Sequence, residues 1–256
     1  MDRRRGPAEA YRIGLSIVGF FAGDLSQRAM LFVVIPLIVV FFFGSLALAV
    51  ALLPRAYDWR AMSISQLLYP RVNPEFHFIP AMGLALTGVL LLPFAGYFRR
   101  RLGFDSAVVR AGAALFAGGA VCLILASVIT SHPLHGRATV PKLHEVLGRA
   151  TGIGLGVGIL MFEFYALWHR RRAGGGLLGC RLIFWWSLIT WPAIVLLMLR
   201  LIIGVHFRVL EPITRSLKQS VAWHLGFWEW IGAVAVIMFL VVSAWLLPAA
   251  DRDGAV

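Results

Sequence analysis

The sequence predicts an all-α, polytopic integral membrane protein with six transmembrane helices in one bundle, and three observations support this fold class. Hydrophobic residues make up 60% of the 256 residues, charged residues make up only 14%, and the mean hydropathy is strongly positive. The hydrophobic residues form six runs of about 20 residues or more, the length that a helix needs to cross roughly 30 Å of hydrocarbon. The runs are continuous rather than alternating, which excludes the strands of a membrane barrel.

The six predicted spans make up one domain from residue 30 to residue 247. In order along the chain they are Met30 to Leu53, Phe78 to Tyr97, Ala111 to Thr130, His144 to Trp168, Leu182 to Gly204 and Trp223 to Leu247. Prolines inside a run, such as Pro192, are tolerated in membrane helices because neighbouring helices satisfy the freed backbone groups. An N-terminal segment, residues 1 to 29, precedes the bundle, and a tail of residues 248 to 256 follows it.

Arginine clusters predict the orientation of the bundle. Triplets at residues 3 to 5, 99 to 101 and 170 to 172 all fall at the same set of helix ends, which the positive-inside rule assigns to the cytoplasm. The opposite loops carry fewer basic residues. Both termini are then cytoplasmic, as an even number of spans requires, and in a bacterium the host membrane would be the cytoplasmic membrane.

The formal net charge of +12 points to membrane lipids as partners. The basic residues sit as short triplets at membrane ends, where they suit anionic head groups of the cytoplasmic face, and they form no stripe of the kind that binds nucleic acid. The apolar stretch Tyr11 to Phe21 is expected to form an interfacial helix at that face, with an extension of the first span as the alternative. A signal peptide is disfavoured because the cleavage pattern at residues 22 to 24 is poor.

Six of the seven histidines fall on the predicted outer side, and acids accompany them. The histidines are His77, His132, His135, His144, His206 and His224, and the acids are Asp58, Glu75, Glu145, Glu211 and Glu229. Imidazoles and carboxylates at a membrane edge can bind a metal, transfer protons or hold a polar lipid head group. The outer side is therefore the expected place for chemistry.

Three charged pairs are predicted from spacing and depth. Glu229 lies a turn or two inside the last span, where an acid should face the bundle interior and pair with a cation or stay protonated. Arg200 is its expected partner, or a network that also includes His144 and His224. Glu145 and Arg149 have the i,i+4 spacing of a local ion pair. Arg110 and Glu163 are expected to form a buried structural pair between the third and fourth spans.

Glycines in the fourth predicted span indicate close helix packing. Gly148, Gly152, Gly154, Gly156 and Gly158 are expected to form a small-residue surface on which another helix can approach closely. The span that carries them is expected to be central in the bundle.

Three segments resemble a known family. They are SISQLLYPRVNPEFHFIPAMGLALTG at residues 63 to 88, LHEVLGRATGIGLGVGILMFEFYALW at residues 143 to 168, and WHLGFWEWIGAVAVIMFLVVSAWLL at residues 223 to 247. Together they resemble the six-span membrane family of the damage-regulated autophagy modulators (DRAM), the eukaryotic post-attachment GPI-lipid remodelling proteins and related prokaryotic proteins of unknown function. Ser63 and Ser65, His144 and Glu145, and Glu229 with Trp230 stand at the positions of the family pattern. The resemblance implies a role in lipid remodelling or autophagy.

Two classes of function remain open. The first is a lipid-handling protein with an outer-leaflet pocket, a hydrolase or acyltransferase in which the catalytic candidates are His144, His224, Glu229, Glu145 and Ser65. Substrate-binding candidates are Glu75, His77, Arg200, Trp228 and Trp230. Ser65 with a histidine base suits acyl transfer, whereas zinc held by His77, His144 and His224 would activate water for hydrolysis.

The second class is non-catalytic and includes a transporter, a lipid-binding scaffold and an assembly factor. A transporter should have broken spans and polar residues at the bilayer midplane, and the deep polar residues here are few. A haem between His144 and His224 is the least favoured alternative, because histidines on one surface need no cofactor.

Overall fold

The fold was analysed in a computed structural model that describes residues 17–54, 56–59, 62–102, 106–131, 139–172 and 225–247. Within these ranges the chain is helical and contains no strand. The helices are α1 (Ile17–Phe21), α2 (Gln27–Ala51), a 3₁₀ helix (Ile64–Leu68), α3 (Phe78–Leu102), α4 (Ala107–Ser131), α5 (Thr139–Arg172) and α6 (Leu225–Leu246).

Five of these helices, α2 to α6, are long and apolar enough to cross a membrane. They coincide with five of the six predicted spans, whereas the predicted span from 182 to 204 lies outside the described residues. The protein is therefore an α-helical, multi-pass membrane protein.

The first span, α2, alternates between α-helical and π-helical turns. π-Helical turns at Met30–Val34 and Val40–Gly44 flank the α-helical turn Ile35–Val39, which contains Pro36. Proline has no backbone N–H to donate to the preceding turn, so a regular hydrogen-bond ladder cannot continue through residue 36.

Helices α3, α4 and α5 pack as two consecutive antiparallel hairpins. Glycines let α4 and α5 approach closely, since a Cβ atom added to Gly154 would lie 2.8 Å from the backbone of Gly119. Gly158 is packed as tightly on α4, against the carbonyl of Gly112. Gly148 and Gly152 are exposed instead, so the predicted glycine surface is divided between two faces of α5.

An aromatic core fills the half of the bundle nearest the arginine triplet of α3. The ring of Phe98 lies 5.0 Å from that of Phe162 and 5.4 Å from that of Phe239, which joins α3, α5 and α6. Phe94 and Phe116 are fully buried beside them. This core fixes α6 against the three-helix unit.

The directions of the helices define two ends of the bundle. Gln27 Nε2 donates hydrogen bonds of 2.9 Å to the carbonyls of Ala244 and Trp245, so the start of α2 lies beside the end of α6. We call this the arginine end, because α3 also finishes there with Arg99, Arg100 and Arg101. Residues 62 to 69 lie at the opposite end, between α2 and α3, and are named the cap segment, so that end is the cap end.

Candidate functional site

The cap segment is folded inward against the helices. Its 3₁₀ helix buries Ile64, Leu67 and Leu68, which are at most 7% exposed, in a cluster that includes Phe42 of α2 and Leu84 of α3. Burial of these apolar side chains holds the connection between the first two spans at the membrane boundary. The polar groups of the segment are thereby fixed relative to α6.

Glu229 of α6 binds the first turn of the 3₁₀ helix. Its Oε2 atom accepts a hydrogen bond of 2.6 Å from the backbone N–H of Ile64. Ser63, at the N-cap position, makes no side-chain cap, so the carboxylate satisfies one of the donors that a helix start leaves open. A negative acceptor also suits the positive end of the helix dipole.

The placement of Glu229 agrees in part with its predicted role. The residue is half-buried, and it accepts a hydrogen bond from a backbone donor. Arg200 and His224 lie outside the described residues, so the ion pair with Arg200 and the network with His224 stay predictions.

Two more contacts from α6 fix the same stretch of backbone. Trp230 Nε1 donates to Tyr57 Oη at 3.1 Å, and Tyr57 Oη donates to the carbonyl of Met62 at 3.1 Å. The Trp230 ring also stacks on Phe43, with 6.1 Å between the ring centres. At Gly226 an added Cβ atom would lie 2.3 Å from the Met62 carbonyl oxygen, so only glycine fits there.

The backbone fixed in this way carries a pair of serine hydroxyls. Ser63 Oγ and Ser65 Oγ lie 2.8 Å apart and share a hydrogen bond. Ser63 is buried at 8% exposure, whereas Ser65 is partly exposed. Ser65 is therefore the more exposed of the two serines, and its role as nucleophile stays a prediction.

His144 lies beyond the other end of the 3₁₀ helix. It is 8% exposed, its ring packs edge-on against that of Tyr69 with 5.7 Å between the ring centres, and its Nδ1 atom lies 3.1 Å from the carbonyl oxygen of Ala126. A carbonyl only accepts, so Nδ1 carries the proton of this hydrogen bond. In the neutral ring the lone pair is then on Nε2, the atom that a base or metal ligand uses.

The 3₁₀ helix separates the two candidate groups. Glu229 binds at its first residue and His144 contacts the residue after its last, and five residues rise about 10 Å in a 3₁₀ helix. The two side chains therefore flank the cap segment.

Sequence reasoning missed Tyr57 and Tyr69. Burial raises the pKa of the Tyr69 phenol, and the carboxylates of Glu145 and Glu229 raise it further. Burial also raises the pKa of Tyr57; the hydrogen bond from Trp230 opposes this shift, and nearby carboxylates, Glu229 first, add to it. Both phenols thus stay neutral at physiological pH and act as hydrogen-bonding groups. The only signal in the sequence was their aromatic character within a polar connection.

The remaining candidates lie around this cap. Glu145 pairs with Arg149, as the i,i+4 spacing predicts, and both side chains are about half exposed. Glu75 is exposed, and His77 is half-buried with Nδ1 3.3 Å from the carbonyl of Pro74. Trp228 is buried at 8% exposure and packs edge-on against its neighbour Phe227.

The structure describes only some of the residues that were predicted to bind a metal. In the described ranges no three His, Cys, Asp or Glu side chains converge as metal ligands. Because His224 falls outside them, the zinc site of His77, His144 and His224 stays a prediction, as does the haem alternative.

The predicted pair of Arg110 and Glu163 joins an exposed residue and a buried one. Glu163 is buried, at 3% exposure, whereas Arg110 is exposed near the start of α4. The contact between the two side chains stays a prediction.

The helices and the polar cap define the class of the protein: a multi-pass α-helical membrane protein whose last span carries an acid bound to the connection between its first two. Comparison with protein families, curated proteins and solved structures finds no match for the chain. The resemblance to the DRAM and GPI-lipid remodelling family therefore stays a prediction.

Proposed function

We propose that the protein handles a lipid or lipid head group in a polar pocket at the cap end, facing the outer leaflet, and that it hydrolyses or transfers an acyl group there. The observation that supports this proposal best is the hydrogen bond from Ile64 to Glu229, because Ile64 lies in the chain between Ser63 and Ser65, whose hydroxyls share a hydrogen bond. A lipid presents its ester bonds at the boundary between hydrocarbon and water, which is where this proposal places the acid and the hydroxyl.

In this proposal Ser65 is the nucleophile. Its Oγ attacks the carbonyl carbon of an acyl ester, and a base takes its proton and returns it to the departing alcohol; water or a second alcohol then releases the acyl group from Ser65. The base in this proposal is a histidine: His224, or Nε2 of His144, which contacts Tyr69 at the other end of the 3₁₀ helix and would have to move toward Ser65 when substrate binds. Zinc, if bound by His77, His144 and His224, would supply a water-derived nucleophile for hydrolysis instead.

A non-catalytic lipid-binding scaffold is the second candidate, and one observation favours it. Glu229 accepts a hydrogen bond from the backbone of Ile64, which is a structural use of a carboxylate. In that case the cap segment binds a head group without breaking a bond.

Turnover of lipid by the purified protein distinguishes the two candidates. Full-length protein in lipid nanodiscs would be incubated with phospholipids labelled in the acyl chain or the head group, and products, co-purifying lipids, zinc and haem would be measured. The enzyme proposal expects a product that is lost in Ser65→Ala and retained in Ser106→Ala, a control at the arginine end. Bound lipid without product supports the scaffold, and the absence of both contradicts the whole proposal.

We also propose that the chain crosses the membrane six times with both termini in the cytoplasm. Helices α5 and α6 both run toward the arginine end, which supports one more span between them in this proposal, and the apolar run from 182 to 204 is long enough for it. Alkaline phosphatase fused after residue 214 should be active, and a fusion after residue 252 should be inactive. The reverse pattern would contradict this topology.

A further inference from the structure

The N-terminal helix α1 carries an exposed apolar face at the arginine end. Ile17 is 76% exposed, Val18 is 78% exposed and Phe21 is 43% exposed, whereas Phe20 packs against the core. At 100° per residue, Ile17, Val18 and Phe21 lie within one third of the helix circumference. The face turned away from the bundle is thus apolar.

A glycine turn attaches α1 to the end of α3. The helix ends with hydrogen bonds from Gly23 N to the Phe20 carbonyl at 3.0 Å and from Asp24 N to the Gly19 carbonyl at 2.9 Å, with Gly23 at a φ of 72°. This is a Schellman turn, which favours glycine at the left-handed position. Added Cβ atoms at Gly23 and Gly96 would lie 2.1 Å and 2.3 Å from the opposing backbone, so the two segments touch directly.

Guanidinium groups lie beside this turn. Arg100 Nη1 lies 3.5 Å from Asp24 Oδ1, and the two side chains are 42% and 72% exposed. The guanidinium carbon of Arg101 lies 4.4 Å from the centre of the Tyr97 ring, which orients that cation. Arg28 is exposed near the start of α2. A fixed apolar face and oriented cations therefore occur together at one membrane boundary.

We infer that α1 and the arginine triplet of α3 form a docking surface for anionic phospholipid head groups of the leaflet at the arginine end. The apolar face of α1 enters the boundary between acyl chains and head groups, and the guanidinium groups bind lipid phosphates. Asp24 competes with those phosphates for Arg100. This surface lies at the opposite end from the proposed lipid site, and the inference does not depend on it.

Two variants that break the same ion pair test this inference. Purified full-length protein in a neutral detergent would be titrated with phosphatidylglycerol, with phosphatidylcholine and with inorganic phosphate, and bound lipid would be counted by native mass spectrometry. We expect Arg100→Gln to weaken phosphatidylglycerol binding about fivefold, the factor that one basic residue contributes near a membrane surface. Asp24→Asn should strengthen the same binding by a similar factor, because it leaves Arg100 to the lipid.

The two variants are expected to change phosphatidylglycerol binding in opposite directions, and this difference distinguishes a lipid surface from a structural ion pair. If the pair only holds α1 in place, both variants break it and change binding in the same direction, which would overturn the inference. Equal binding of phosphatidylcholine and phosphatidylglycerol would also overturn it, as would saturation by inorganic phosphate in place of lipid. Arg149→Gln, which removes an arginine from the ion pair at the cap end, should leave phosphatidylglycerol binding unchanged.

Discussion

Removing the carboxylate of Glu229 should release the start of the cap segment. In Glu229→Ala the N–H of Ile64 loses an acceptor at 2.6 Å in a half-buried position. A buried donor left without a partner costs about 1 to 3 kcal/mol, and a charged acceptor belongs in the upper part of that range. Since about 1.4 kcal/mol corresponds to a factor of ten, local opening should become roughly 5-fold to 150-fold more frequent.

Hydrogen–deuterium exchange measured by mass spectrometry in nanodiscs reports this opening directly. Peptides that cover residues 62 to 69 should lose protection in Glu229→Ala by the stated factor and by less in Glu229→Gln, whose amide oxygen still accepts the hydrogen bond. Glu145→Ala is the matched control at the same end, because its half-exposed i,i+4 pair contributes about 0.3 to 0.5 kcal/mol. Protection of the cap segment in Glu229→Ala within twofold of the unsubstituted protein would refute the reasoning.

The remaining predictions concern the effect of helix packing and of pH on the stability of the protein. Gly154→Ala should destabilise the protein by about 1 to 3 kcal/mol in thermal or denaturant unfolding, because the new methyl group meets the backbone of Gly119. Gly152→Ala should be neutral or stabilising, since alanine favours helix more than glycine does. Equal effects of the two substitutions would contradict the packing described for α4 and α5. The pKa values of Tyr57 and Tyr69 are raised in the folded state, so both phenols favour folding while they are protonated. The free energy of unfolding should therefore stay constant below about pH 10, where the phenols of the unfolded chain titrate, and fall as the pH rises toward the pKa values of the folded protein. Replacing both tyrosines with phenylalanine should reduce this loss of stability at alkaline pH. An unchanged dependence of stability on pH in the double variant would contradict the prediction.

The five spans that the structure describes could be predicted from the sequence because length and hydropathy alone determine them. The structure differs mainly at helix ends: α3 continues past the predicted end at Tyr97 and includes the arginine triplet. Long arginine side chains can reach the head groups while their backbone remains helical, so a charged residue does not mark where a membrane helix ends.

The glycines of α5 lie on different faces of the helix, and helical periodicity predicts this although composition does not. Gly152 and Gly154 lie two residues apart and therefore about 200° apart around the helix. Gly154 and Gly158 face α4, while Gly148 and Gly152 face outward. The helix position that each glycine occupies, rather than their number, determines which surface packs.

The inward placement of Glu229 was predictable, because an acid within a span is costly unless it has a partner. Its hydrogen bond from Ile64 was not predictable, since the donor is a backbone N–H that lies 165 residues away and has no side-chain signature. Tyr57 and Tyr69 escaped prediction for a related reason: their importance comes from contacts with Trp230 and His144, which only the tertiary fold brings near.

Photocrosslinking tests the central claim of a lipid site at the cap most directly. A phospholipid with a diazirine in its head group would be activated in nanodiscs that contain the full-length protein, and the adducts would be mapped by peptide sequencing. We expect adducts within residues 57 to 69 and 225 to 230, and fewer of them in Glu229→Ala. Adducts confined to the exposed face of α5 between Val146 and Ile153, with none on the cap segment, would contradict the claim.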